Sequence, residues 1–161
     1  MSDNIRIGLG IDLHRLAPGN RCVLAGLELE SPVGPDAHSD GDAVLHALCD
    51  AVLGAAGLDD LGTLFPDQAE ENRDRPSSEF CERALALIRD KGLRVQSLDV
   101  VVETEKPAIK PHRAAMRARI SELFDVDPDA VNIKGKSGEK TGAIGRSEAL
   151  RVTAVALLNS R

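Results

Sequence analysis

His38-Ser39-Asp40-Gly41-Asp42-Ala43-Val44-Leu45-His46-Ala47-Leu48-Cys49-Asp50 is a polar loop running into an apolar helix that carries ionisable groups along one stripe. Ser39 followed three residues later by Asp42 is close to a capping box, with Asp in place of the usual Glu or Gln, and predicts a helix start near Asp40. From there Asp42, His46 and Asp50 stand at i, i+4 and i+8 and share a face, while Val44, Leu45, Leu48 and Val52 cover much of the remainder. Two carboxylates and an imidazole in line on a buried helix imply partners or chemistry. A solvent-facing polar stripe is the alternative.

The first strand bears on that choice. Ile5, Ile7, Leu9, Ile11 and Leu13 alternate with Arg6, Gly8, Gly10, Asp12 and His14, the period of a strand with one apolar face. Asp12 and His14 therefore point the same way. Gly8 and Gly10 leave the rest of their face bare, so that something else can come near the backbone. If this strand packs on the helix, Asp12, His14 and His46 supply one carboxylate and two imidazoles. Three protein ligands with an open fourth position are the catalytic pattern for zinc, and the same set can hold ferrous iron. His38 precedes the helix start, where backbone N–H groups and the helix dipole favour an anion such as phosphate.

Composition narrows the classes. The chain has 161 residues, the size of one ordinary domain, and a net charge of −6 with no basic block. That balance argues against nucleic acid or an anionic membrane as partner. Trp and Tyr are absent and Phe occurs three times, which argues against a base-stacking platform. Cys22, Cys49 and Cys81 are dispersed, without C-x-x-C spacing, and suit buried thiols in a reducing compartment. The polar start Met1-Ser2-Asp3-Asn4 does not read as a signal peptide, and no apolar run is long enough to span a bilayer. A cytoplasmic protein is expected.

Along the chain, Ala17-Pro18-Gly19-Asn20 reads as a turn, Cys22 to Gly26 as a short strand and Pro32 to Asp36 as a loop. Gly54 to Gly57 ends the His46 helix, and Asp59-Asp60-Leu61-Gly62 turns toward Phe65-Pro66-Asp67. Gln68 to Pro76 is polar, a flap or a solvated loop. A helix capped by Ser77 or Ser78 carries Phe80, Ala84, Leu87 and Ile88 inward and stops before Gly92. Leu98 to Val102 is a buried strand. A further helix, with Pro111 in its first turn, carries Met116, Ile120, Leu123 and Phe124, and Val131 to Ile133 resumes strand character. Leu150 to Leu158 fits helix or strand by pattern.

Lys134-Gly135-Lys136-Ser137-Gly138-Glu139-Lys140-Thr141-Gly142-Ala143-Ile144-Gly145-Arg146 combines four cations, two hydroxyls, one carboxylate and four glycines. Glycine-rich amides with lysine and arginine suit phosphates; a charged surface loop is the plainer alternative. It is not a nucleotide P-loop, because Ala130 stands where the first glycine is required. Gly8-x-Gly10 is not a dinucleotide fingerprint, because Leu13 replaces the third glycine.

Gly10-x-Asp12-x-His14, then His38-Ser39-Asp40-Gly41-Asp42 through His46-Ala47-Leu48-x-Asp50-Ala51, then Asp60-x-Gly62-x-x-Phe65-Pro66-Asp67, resemble the 2-C-methyl-D-erythritol 2,4-cyclodiphosphate synthase family from about Ile5 to Leu158. The resemblance implies a single-domain α/β (α+β) fold over 1–161, with a mixed four- to five-stranded sheet, helices on one face, a strand at the ambiguous C-terminal segment, and a homotrimer with active sites between neighbours. Zinc, one per protomer, is implied on Asp12, His14 and His46, and magnesium or manganese on Glu139. His38 and Ser137 match the positions that stabilise the transition state. Ser39, Asp60, Gly62, Phe65, Asp67, Lys136, Ala143 and Arg146 fall around the substrate, and Thr104, Pro107, Ala108, Ile109 and Lys110 around cytidine. The chain has Lys136-Ser137-Gly138 where the family commonly has threonines, and Ala108 where a lysine is usual.

The implied reaction belongs to the non-mevalonate isoprenoid pathway. The 2-phosphate of 4-diphosphocytidyl-2-C-methyl-D-erythritol 2-phosphate attacks the β-phosphorus, CMP leaves and a cyclic diphosphate closes, a phosphorus–oxygen lyase reaction. A phosphate monoester has a second pKa of about 6 and is already an anion, so no general base is needed. What remains is to bring the ends together and to neutralise charge. Two other classes use the same residues: a zinc-dependent phosphohydrolase with water as nucleophile, and a non-catalytic diphosphate-binding protein.

Overall fold

The computed structural model describes residues 5–66 and 75–160. Strand β1 (Arg6–Pro18) is followed by the short strands β2 (Cys22–Leu24), β3 (Leu27–Leu29) and β4 (Val33–Pro35), then helices α1 (Ala43–Ala55), α2 (Leu61–Leu64) and α3 (Ser77–Asp90). Strand β5 (Leu93–Glu103), helix α4 (Arg113–Phe124), strand β6 (Val131–Lys136), the one-turn helix α5 (Gly142–Gly145) and strand β7 (Ala149–Ser160) complete it. The main sheet has the order β4-β1-β7-β5-β6; only the β5–β6 pair is parallel, so the expected mixed sheet has five strands. The C-terminal segment is its central strand. Leu150, Val152, Ala154, Ala156 and Leu158 are buried at a period of two, which a helix could not achieve.

Helix α1 is the centre of the core, buried nearly all round between the sheet and α3. Its contact with β1 is backbone on backbone. A Cβ built on Gly8 would lie 1.8 Å from the Ala51 carbonyl oxygen, and one on Gly10 would lie 1.9 Å from that of Ala47. The face of β1 that meets the helix is thus the bare one, and the apolar face is turned out. Ile7 is 70% exposed, Leu9 60% and Leu13 63%. Alternation located the two faces correctly, but the apolar one does not enter this chain's core.

The helix start also differs from expectation. Asp42, not Ser39, is the N-cap: its Oδ1 accepts the Leu45 N–H at 3.0 Å. The same carboxylate accepts the N–H groups of Ala25, at 2.9 Å, and Gly26, at 2.6 Å. Those two residues make the β2–β3 turn with φ of 55° and 71°, the double left-handed geometry of a tight hairpin. Asp42 is completely buried, and burial pushes its carboxyl up to about 6 against the opposing pull of the three N–H groups. It leaves the polar stripe to staple a hairpin to α1. It also supplies the negative charge that favours a helix N-terminus, so the phosphate expected there meets an end already capped.

Cys22, Cys49 and Cys81 are free and buried, as expected. Among the described residues no helix is long and apolar enough to cross a membrane. The expected loops at Pro32–Asp36 and after Asp60 contain β4 and α2, and the strand read at Cys22–Gly26 is half of a hairpin. Three- and four-residue elements are too short to show a period. Most of the polar stretch expected to be a flap or solvated loop lies outside the described residues.

Because no side chain separates α1 from β1, Gly10→Ala is expected to force the two apart and to lower stability by about 3 kcal/mol or more, read from urea denaturation. A change below about 1 kcal/mol would mean that the contact can relax.

Candidate metal and substrate site

Where the glycines end, β1 runs on to Asp12 and His14, and α1 offers His46 one residue before Ala47. Nε2 of His14 lies 2.8 Å from Asp12 Oδ2, and Nδ1 of His46 lies 3.3 Å from the same oxygen. One donor atom from each of the three residues lies within 4.8 Å of the others, and this is the only such group of three His, Cys, Asp or Glu side chains among the described residues. Asp12 Oδ2 and His14 Nε2 are buried and make no hydrogen bond. Buried polar atoms left without hydrogen bonds, converging with a third ligand atom, fit a divalent cation. Burial raises the Asp12 carboxyl, but its contacts with His14 and His46 outweigh that and hold it well below the usual carboxylate range. Asp12 is therefore a carboxylate throughout the working pH range, as a ligand must be.

The cluster opens onto a cleft of about 290 Å³ lined also by His38, Ser39, Gly62 and Phe65, all four expected at the site. Asp36, Asp50 and Phe80 line it too. Asp50 is the one member of the polar stripe besides His46 that reaches it; its Oδ1 also accepts the Leu61 N–H at 2.7 Å, which sets α2 against the cleft. Asp60 caps α2 by accepting the Thr63 N–H at 2.8 Å and does not line the cleft. Asp67 lies outside the described residues.

The remaining expected residues are elsewhere on the chain. Thr104, Ala108, Ile109, Lys110, Lys136 and Ser137 line a second cleft of about 410 Å³ together with Glu105, Arg113 and Lys134. Pro107 faces a separate groove beside Pro111 and His112. Ser137 Oγ donates to Glu139 Oε1 at 3.1 Å, and Glu139 is exposed, outside the Asp12 cluster. Ala143 belongs to α5, and the Arg146 guanidinium just after it forks onto Glu148 at 2.9 and 3.0 Å. Gly138 has a structural reason: a Cβ there would lie 2.4 Å from Gly145 N, so the loop closes on itself only with glycine. Two side chains of the first site escaped sequence reading. Asp40 and Ser77, 37 residues apart, meet behind His46, and no local pattern links them.

A mixed five-stranded sheet with helices on one face, and a carboxylate with two imidazoles opening on a cleft, define an α/β protein with a candidate metal centre. The model of the YgbB family matches residues 5–159. The 2-C-methyl-D-erythritol 2,4-cyclodiphosphate synthase of Xanthomonas oryzae pv. oryzae is 44% identical over 98% of this chain and 97% of its own. A synthase structure in a CDP-bound form superposes with a TM-score of 0.88 at 39% identity, covering 95% of this chain and 99% of that one. The bifunctional IspDF of Campylobacter jejuni gives 0.94 at 35% identity over 99% of this chain, which spans 43% of that longer protein. The chain belongs to the YgbB family, the family of 2-C-methyl-D-erythritol 2,4-cyclodiphosphate synthases.

Burial lowers the His46 pKa, but Asp12 foremost, then Asp42 and Asp40, outweigh it and raise it above the ordinary imidazole value. A raised group stabilises the fold fully below its unfolded pKa, and that contribution is lost as pH rises through the folded one. In chelator-treated protein, the stability difference between wild type and His46→Gln is therefore expected to be larger near pH 6 than near pH 9 in urea melts. A difference that grows with pH would contradict this.

Proposed function

We propose that the chain closes 4-diphosphocytidyl-2-C-methyl-D-erythritol 2-phosphate to 2-C-methyl-D-erythritol 2,4-cyclodiphosphate with release of CMP, as a lyase of the non-mevalonate isoprenoid pathway. The observation that carries this is the Asp12, His14 and His46 cluster at the floor of a cleft walled by His38 and Ser39. Its family membership and the CDP in a relative at 39% identity support the reading.

On this reading Asp12, His14 and His46 hold zinc and Glu139 holds magnesium or manganese; bound there, the ions supply positive charge to the diphosphate. The nucleophilic 2-phosphate is an anion already, so no residue need remove a proton from it. His38 and Ser137 donate to the phosphoryl oxygens as charge builds, and Ser39, Lys136 and Arg146 hold the phosphates. Arg146 must exchange Glu148 for substrate, a change open to an exposed pair. Gly62 and Phe65 face the substrate from the wall of the cleft, and Asp60, Asp67 and Ala143 are read as further substrate-binding residues. Thr104 and Pro107 to Lys110 take the cytosine, largely through backbone, since Ala108 has no side-chain donor.

Two features support a homotrimer. Lys136 and Ser137 line a cleft other than that of the metal cluster, which supports a site completed by a neighbour. Ile7, Leu9, Ile11 and Leu13 lie beside Val155 and Leu157 as an exposed apolar stripe on an otherwise folded sheet, and such stripes mark interfaces. The buried free thiols suit a cytoplasmic setting, and we read 1–161 as one domain.

Phosphorus NMR of the protein with the cytidyl substrate, zinc and magnesium tests the proposal. Cyclic diphosphate is expected in step with CMP, and no turnover in Asp12→Ala. Open-chain phosphate would indicate a hydrolase instead, and bound but unchanged substrate a binding protein.

A further inference from the structure

His46 turns Nδ1 toward Asp12 and sets its other ring nitrogen, Nε2, 2.8 Å from Ser77 Oγ. Ser77 is completely buried at the first turn of α3, a helix with no side-chain cap of its own. Asp40, in the loop before α1, meets both donors of Ser77: its Oδ2 accepts the Ser77 N–H at 2.8 Å, and its Oδ1 accepts the Ser77 hydroxyl. Oδ1 also accepts the Asp42 N–H at 3.1 Å, so the carboxylate is anchored to the α1 cap.

Donor and acceptor accounting then fixes the protons. An ionised carboxylate only accepts, so the hydroxyl proton of Ser77 points at Asp40. The Ser77 oxygen is left as an acceptor, and the atom opposite it, Nε2 of His46, must be the donor. The neutral His46 ring thus carries its proton on Nε2 and its lone pair on Nδ1. The opposite tautomer has its own attraction, because an Nδ1–H could donate to Asp12 and would remove the ligand atom. We propose that Ser77 and Asp40 are positioning residues that hold His46 in the Nε2–H tautomer and so keep Nδ1 free for a divalent cation. Outer-shell groups that orient a histidine ligand in this way typically change metal affinity 10- to 100-fold.

The proposal rests on the metal reading above, and its test separates the two. Nitrogen-15 NMR of histidine-labelled, metal-free protein, at a pH where His46 is neutral, reads the tautomer directly; a chelator-competition titration with zinc alone reads the affinity. Wild type is expected to show the proton on Nε2. Ser77→Ala removes only the hydroxyl and leaves the main-chain N–H for Asp40, so α3 keeps that contact. In this variant the proton should move toward Nδ1 and zinc should bind about 10- to 100-fold more weakly. Adding Asp40→Asn to it should weaken zinc little further, because the two act as one unit. Unchanged tautomer and zinc affinity in Ser77→Ala, even with a lowered melting temperature, would reduce the pair to a structural contact and overturn the proposal. If wild type took up no zinc, the metal reading would fail, and the tautomer shift would still decide the role of Ser77.

Discussion

Helix α1 lies on β1 with nothing but backbone between them, and the rest of the molecule follows from that contact. Gly8 and Gly10 admit the helix, and Ala47 and Ala51 present their carbonyl oxygens where a Cβ would otherwise stand. At this separation a side chain two residues further along the strand must meet one from the helix. Asp12 and His14 meet His46 there, largely withdrawn from solvent at the cleft. A carboxylate in such surroundings would ordinarily be neutralised; two imidazoles keep it ionised. The same choice of face turns Ile7, Leu9, Ile11 and Leu13 outward, so the geometry that builds the metal cluster also creates the surface proposed to seat a neighbour.

The loop before α1 is held by its own side chains. Ser39 Oγ accepts the Gly41 N–H, Asp40 the N–H groups of Asp42 and Ser77, and Asp42 those of Leu45, Ala25 and Gly26. These bonds fix the frame from which His38 and Ser39 face the cleft. A cyclisation whose nucleophile is already charged asks for that kind of rigidity more than for proton transfer, because its barrier lies in bringing two anionic ends into line. The proposed function and the architecture therefore make the same demand.

Much of this was legible in the chain, for identifiable reasons. Asp12, His14 and His46 could be grouped because two periodicities, two on the strand and four on the helix, put them on facing sides, and the glycines marked where the elements touch. α3 and α4 showed their apolar spacing. What escaped depends on contacts distant in sequence. Asp42 sits on the polar stripe by spacing, yet the β2–β3 turn captures it. The apolar face of β1 resembles any core strand until the glycine face is seen to be occupied. Ser77 read as an ordinary helix cap, and its bond to His46 crosses 31 residues of chain. Glu139 and Ser137 read as part of a phosphate loop, but nothing local says that their partners lie across a proposed subunit boundary.

That boundary is the central claim, and subunit mixing tests it most directly. A His46→Ala chain and a Glu139→Ala chain, each inactive alone, would be unfolded together, refolded as mixed assemblies and assayed for cyclic diphosphate. If each site takes its metal cluster from one protomer and its loop from the next, equal mixing should restore about a quarter of wild-type activity, because half of each partner is intact. A mixture that exchanges subunits and stays inactive would contradict the account and place the whole site within a single chain.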